Sequence, residues 1–308
     1  MIDYTTTSLL STLRLLPLMP SVQALFSDDD LLTILNFELA SKIVPMIDNQ
    51  SEEYGIYVKD VPYSTSVQVY PIPAVRAVGA KLRSVSFLDS NNNEIRIPRL
   101  RPEDTMSNVN ATGLAINPAL WGFYIQNNSV VLYLGSIAGS SSSFQALRLR
   151  YVREPNQLIA VSSAAQVSNI SGNIITVTNV PSTYTTTATY DFISGSPGFD
   201  SLADDATCTS VSGLMLTFTN VPAGLSKGDW VCLSNQAPVA QIPFYPGYEL
   251  LLQLGAAKCL EIHGDVQGFN IAMSQASDMK NYFISIITPR VDGNVIRLTT
   301  PNSLYAWD

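Results

Sequence analysis

Ser171–Pro181 reads SGNIITVTNVP, and Ser212–Pro222 reads SGLMLTFTNVP, an eleven-residue phrase written twice at an offset of 41. Seven positions are identical, among them Ser, Gly, both Thr, Asn, Val and Pro, and the four that differ are mostly apolar in both copies. Each copy reads as a β-strand that stops at Asn-Val-Pro, because proline cannot donate to a sheet ladder. An aspartate-led apolar strand follows each copy, DFIS from Asp191 and DWVCLS from Asp229. A duplicated strand-turn-strand unit predicts a small β-sandwich or barrel over residues 158–242, built from one ancestral element.

Outward from the repeat the pattern changes on both sides. Between Tyr57 and Val152 short strands alternate with Asn-rich turns: SVQVYPIP, LRSVSFLD and EIRIPRL around DSNNN, and GFYIQ and SVVLYLG around Asn127-Asn128. ALRLRYV places Leu147, Leu149 and Tyr151 on one face and Arg148 and Arg150 on the other, a half-buried strand whose arginines are read as a solvated face. GSSSSF from Gly139 reads as a hairpin loop.

The ends are helical. Ser27 can cap a helix whose first turn is Asp28–Asp30, and Leu32, Leu35, Leu39, Ile43 and Met46 form its apolar stripe. Pro45 should kink it or end it early. At the other end, Leu251, Leu254, Cys259 and Ile262 mark one helix, and Val266, Phe269, Met273, Ala276, Met279, Phe283 and Ile287 a second. Gly264-Asp265 between them predicts an antiparallel helical hairpin. The fold class is therefore α+β, with amphipathic helices, antiparallel β-hairpins and an inserted duplicated all-β domain. The parts are 1–157 (helix plus hairpins), 158–242 (the insertion) and 243–308 (helical hairpin and tail).

Charged residues are only 14% of the 308, and the formal charge is -8. A surface so poor in charge suits subunits that cover one another, and the negative balance argues against binding nucleic acid or an anionic membrane. The leucine-rich N-terminus lacks a basic n-region and is broken by Arg14, Pro17 and Pro20, so it reads as neither signal peptide nor membrane span. Cys208, Cys232 and Cys259 are odd in number and never CxxC, which predicts buried free thiols in a reducing compartment.

Motifs for catalysis are weak. His263 is the one histidine and has no GxSxG partner. The acidic triplet at 28–30 is helix-cap chemistry, so no metal is assigned. Asp204-Asp205 and Glu52-Glu53 could pair as glycosidase carboxylates, but adjacent acids in polar loops are usually solvated. Neither a cofactor nor an enzymatic role is expected. Trp230, Tyr184 and Tyr190 could stack on a sugar, which would make the β domain a glycan-binding module of a tail or surface protein; packing is the simpler role.

Several stretches together, SDDDLLTILNFELASKIVPMI, YPIPAVRAVGAKLRSVSFLD, GFYIQNNSVVLYLG to LRLRYVREP, KGDWVCLS and AQIPFYPGYELLLQLGAAKCLEIHGDVQGFNIAMSQASDMKNYFISIITPRVDGN, resemble bacteriophage virion proteins of the head-tail connector or adaptor type. The resemblance rests on their order along most of the chain. It implies a structural protein of the head-tail junction, assembled in the host cytoplasm. Copies of it, twelve by the resemblance, form a ring under the portal protein. The ring extends the DNA channel, through which DNA passes without specific binding, and docks a tail or nozzle protein. Phe269, Met273, Met279 and Phe283 on the last helix, with Tyr305 and Trp307 in the tail, are the expected oligomer or partner contacts. A lumen lined by Lys81, Arg83, Arg99 and Arg101 would contradict a channel that avoids phosphate.

Overall fold

The computed structural model describes residues 4–17, 19, 25–50, 55–72, 77–101, 121–134, 144–195, 200–242 and 245–288. The expected loop at 139–143, Glu52-Glu53 and the tail with Tyr305 and Trp307 lie outside them. The chain is α+β, as the sequence pattern requires.

A helix that the leucine-rich start does not announce, α1 (Thr6–Leu15), opens the chain, with the Thr5 side chain accepting from the Ser8 amide. Ser27 caps α2 (Asp28–Glu38) in a full capping box with Asp30. Pro45 neither ends nor breaks the helix that follows. A π-helical turn (Leu39–Ile43) precedes it, in which the Val44 amide reaches back five residues to Leu39, and α3 (Val44–Gln50) continues past the proline. Widening the turn just before Pro45 accommodates a ring that a regular α-helix would exclude.

At the other end, α4 (Tyr245–His263) and α5 (Val266–Ile287) form the hairpin. Gly264 makes the turn at φ +85, and Asp265 caps α5 by accepting from the Gly268 amide. Helix α4 is the axle of this unit, touching α1 and α2 as well as α5. Gly255 explains how α2 comes so near: a Cβ there would stand 2.7 Å from Leu35. Because it is surrounded, α4 is buried on most of its circumference, and only its end departs from the expected stripe: Ile262 is exposed.

Two antiparallel sheets share a second core. The first, in the order β1-β7-β3-β4, contains β1 (Ile56–Pro62), β3 (Ala77–Asp89), β4 (Glu94–Ile97) and β7 (Phe144–Arg153). The second, β2-β6-β5, contains β2 (Val69–Pro71), β5 (Gly122–Gln126) and β6 (Ser129–Tyr133), so only three residues of SVQVYPIP join a ladder. Asn92, Asn127 and Asn128 take positive φ at the hairpin turns, the conformation for which Asn was expected there. Leu147, Leu149 and Tyr151 point into the core between the sheets, where Phe87 stacks on Phe144 at 4.4 Å.

The repeat becomes a closed six-stranded barrel: β9 (Ala165–Ser171), β10 (Ile174–Val177), β11 (Thr189–Ile193), β12 (Ser201–Ser212), β13 (Met215–Phe218) and β14 (Trp230–Leu233), in the order β10-β13-β12-β11-β14-β9. Its register carries the offset of 41. Ile174 faces Thr217 and Thr176 faces Met215, each pair the image of the other, while Ile175 faces its own counterpart Leu216. Tyr190 opposite Leu233 and Phe192 opposite Val231 are likewise images, and Asp191 faces its counterpart Cys232. The two halves are thus related by a pseudo-two-fold axis through Ile175/Leu216 and Asp191/Cys232. The Ser-Gly opening each phrase is a hairpin tip, with Gly172 at φ +57 and Gly213 at φ +56. The two aspartates are not equivalent, as DFIS and DWVCLS suggested. Asp229 lies just before β14 and holds the Gly195 and Ser226 amides, whereas Asp191 is buried in mid-strand.

The chain passes to and from the barrel through two neighbouring segments, β8 (Gln157–Leu158) and β15 (Gln236–Ala237), which pair in parallel. The helical unit grips both. The Asn36 side chain donates to the Leu158 carbonyl at 3.0 Å and accepts from its amide at 2.7 Å, as a strand partner would. The Thr6 amide donates to Pro238 at 2.8 Å and its hydroxyl to Ile159 at 2.7 Å.

Ile175 and Leu216 face each other inside the barrel with no exposure. Ile175→Ala and Leu216→Ala should each cost about 3 kcal/mol. The double variant should depart from the sum of the two, because the side chains share one layer. Chemical denaturation of the four proteins measures both effects.

Candidate functional site

Four of the expected contact residues lie on α5, and they turn inward. Phe283 is fully buried, and Phe269, Met273 and Met279 are half-buried against the same helical core. An apolar stripe at helical spacing is what packs α5 onto α4 and α3, so much of its surface is used within the fold. Met273 keeps one outer contact, bordering a groove of about 480 Å3 between α3 and α5 that Lys42 and Lys280 flank. Val266, placed in the same stripe by spacing, is exposed at the helix start.

The exposed apolar residues of α5 are others. Ile271, Tyr282 and Ile286 occupy one flank of the helix, at 43%, 59% and 37% exposure. Gln275 and Asp278 lie between them, and Asp278 and Lys280 are the only charged residues in the 22 of the helix. No helical period announces this flank, because its apolar residues are interrupted by polar ones. Its signal in the sequence is the shortage of charge.

On the outer face of the first sheet, Arg148 and Arg150 are not simply solvated. Arg148 donates twice to Asp60, at 2.8 Å each, and Arg150 grips Glu94 in the same bidentate manner. The pairs link β1, β7 and, across β3, β4 into one ladder of alternating charge. Hydrogen bonds from Arg150 and then Ser86 hold the Glu94 carboxyl down at about 2.

A second polar cluster sits where the barrel meets β7. Arg153 and Asp191, both almost fully buried, approach to 3.8 Å, and Arg153 also reaches Asp204 at 3.1 Å and Asn156 at 2.7 Å. The guanidinium lies 4.4 Å from the centre of the Tyr57 ring. Asp191 in turn accepts from the Asn235 amide at 2.9 Å and the Asp205 amide at 3.1 Å. The cluster joins the sheet, the barrel and the β15 segment through charge-assisted bonds.

The remaining chemical candidates are placed as follows. Asp204 and Asp205 stand in ion pairs with Arg153 and Lys59, and Asp205 takes φ +56. His263 is exposed at the end of α4. The three cysteines are buried and free; burial raises the Cys208 thiol, raises Cys232 further, and pushes Cys259 up to about 11. Among the described residues no group of three or more His, Cys, Asp or Glu could hold a metal, and no helix is long and apolar enough to cross a membrane. Tyr184 and Tyr190 fill the barrel interior, and Trp230 packs at its junction with Ala237 and Val239. None of these three rings is presented to a sugar.

Compared with protein-family models, with curated proteins and with solved structures, the chain matches none.

Two outcomes follow from these clusters. Glu94 has a depressed carboxyl, so its stabilisation is complete above its ordinary value of 4.5 and is lost as pH falls through about 2. Glu94→Gln should lose about 1 kcal/mol at neutral pH. Unfolding curves of the two proteins should converge as the pH approaches 2; a gap independent of pH would refute the pairing. At the junction, Arg153→Met strands a buried carboxylate and should cost about 3–5 kcal/mol. Adding Asp191→Asn should recover part of that loss in the same denaturation assay.

Proposed function

We propose that this chain is a structural virion subunit of the head-tail adaptor type, which packs side by side with copies of itself in a ring beneath a portal protein. The observation that carries the reading is the flank of α5 with Ile271, Tyr282 and Ile286 uncovered, next to a stripe that packs largely against the helical core. Uncovered apolar side chains on a helix nearly without charge are what a subunit presents to a neighbour. A repeated neighbour is supported by the composition, since 14% charged residues leave little to keep a 308-residue chain dispersed.

The architecture suits such a role in a second way. The helices form one unit, and the barrel stands off it on two adjacent segments, β8 and β15. The helical unit would hold the ring together while the barrel meets a tail or nozzle component. DNA passing the ring meets a chain of net charge -8, which favours passage over retention. To the expected contacts on α5 this reading adds Ile271, Tyr282 and Ile286.

Co-expression with the portal protein of the same genome, followed by cryo-electron microscopy, tests the reading. A ring of added density under the portal with α5 at the subunit contact is the expected result; bare portals beside abundant folded protein would reject it. The paired variant Ile271→Asp/Tyr282→Asp should keep its helical circular dichroism, since neither side chain is in the core. Its occupancy on the portal should fall at least about tenfold.

A further inference from the structure

Pro289 follows the last helix, and Thr288 before it is already extended, at φ -66 and ψ 120, as a residue preceding proline must be. The chain therefore leaves the axis of α5 at this point. Its exit is beside α3: the Thr288 hydroxyl lies 3.3 Å from the Gln50 side-chain oxygen. Gln50 and Ile284 line the groove of about 480 Å3 between α3 and α5, so residues 289–308 set out from the end of that groove.

The groove has the chemistry of a site for aromatic rings. Leu250, Leu254 and Ala276, all buried, give it an apolar floor. Met46 borders it from α3 and Met273 from α5, both half-buried. Thioethers make favourable contacts with ring edges, and an unbranched side chain adapts to a flat guest. Asn49 and Ser277 on the rim can bond a phenol or an indole N–H. Lys42 and Lys280 add positive charge, one from each side. Glu38 holds Lys42 at 2.7 Å, but an ammonium has three donors and can meet a second carboxylate.

The sequence beyond α5 supplies a matching guest. Residues 298–308 read LTTPNSLYAWD, in which Asp308 is the only charged side chain and stands next to Trp307. We propose that residues 304–308 lie in the groove between α3 and α5 of the same chain, with Tyr305 and Trp307 against Met46 and Met273 and Asp308 toward the two lysines. The distances allow it. Met273 is about 16 Å back along α5 from Ile284, and a coil of the length of 289–303 spans roughly 20 Å. A tether matched to its span raises the effective concentration of the guest, which favours the chain's own tail over that of another copy. Tyr305 and Trp307, expected as partner contacts, thereby take a place within the chain, whether or not copies assemble in a ring.

The test uses the full-length chain with Trp307 replaced by the photo-crosslinker p-benzoylphenylalanine, whose ketone inserts readily at methionine C–H bonds. Illumination of dilute protein and mass spectrometry should show the tail joined to Met46 or Met273. In an equal mixture of isotope-labelled and ordinary protein, the joined peptides should carry one label and not both. Ser277→Trp, at an exposed position on the groove, should leave the helical circular dichroism unchanged and cut the cross-linked yield at least about fivefold. Lys280→Glu should lower the yield as well, and added salt should reduce the difference between that variant and the parent. Peptides of mixed label would give the groove to a neighbour's tail and overturn the assignment to the same chain. Cross-links confined to other surfaces, or a yield untouched by Ser277→Trp, would overturn the site.

Discussion

Two short segments, Gln157–Leu158 and Gln236–Ala237, carry the barrel, and their parallel pairing is the constraint on which the rest of the arrangement depends. Two residues on each side make a ladder too brief to persist alone. It is held because each neighbour contributes a bond that a longer sheet would otherwise supply. Asn36 on α2 acts as a strand partner for Leu158, Thr5 bridges to Val239, and Asn156 reaches the Gln236 carbonyl. The helical unit, the sheet and the barrel are therefore coupled at one place, and residues far apart in sequence meet there.

The barrel's symmetry is broken where this join demands it. At one end of the pseudo-two-fold axis the facing residues are both aliphatic, Ile175 and Leu216, and pack as equals. At the other they are Asp191 and Cys232. Cys232 keeps the buried, neutral character of a packing residue, while its counterpart has become a carboxylate that meets Arg153 from the sheet and the Asn235 amide from the exit segment. A buried charge is tolerated only with partners, and at the join Arg153 of the sheet supplies one. Closing the barrel also removes free strand edges, so the duplicated half offers no template for uncontrolled pairing.

Much of this was legible in the sequence, for reasons that differ by element. The capping Ser27, the Asn turns at 92 and 127–128 and the doubled phrase are local signals, and local physics decided them. Helix α1 was not legible, because Arg14 and the prolines after it suggested a broken segment, and its stability comes from packing on α4. Nor was the register of the third strand in each repeat. The conspicuous Asp191 and Asp229 invite alignment to one another, while tertiary pairing sets Asp191 against Cys232. The arginines of β7 look solvated from alternation alone, since their partners Asp60 and Glu94 are about ninety and fifty-five residues away.

The exposed apolar residues of α5 fail to show in the sequence for a more general reason. Periodicity detects the side of a helix that folding has used, because the core selects apolar residues at every turn. A surface that waits for a neighbour is selected less strictly. On α5 polar residues such as Gln275 and Asp278 are interleaved with Ile271, Tyr282 and Ile286, and the apolar period is lost. The strongest stripe, Phe269 to Phe283, accordingly marks the side that packs on the helical core. The better guide is the residue that remains apolar where burial no longer explains it, and that judgement needs the fold.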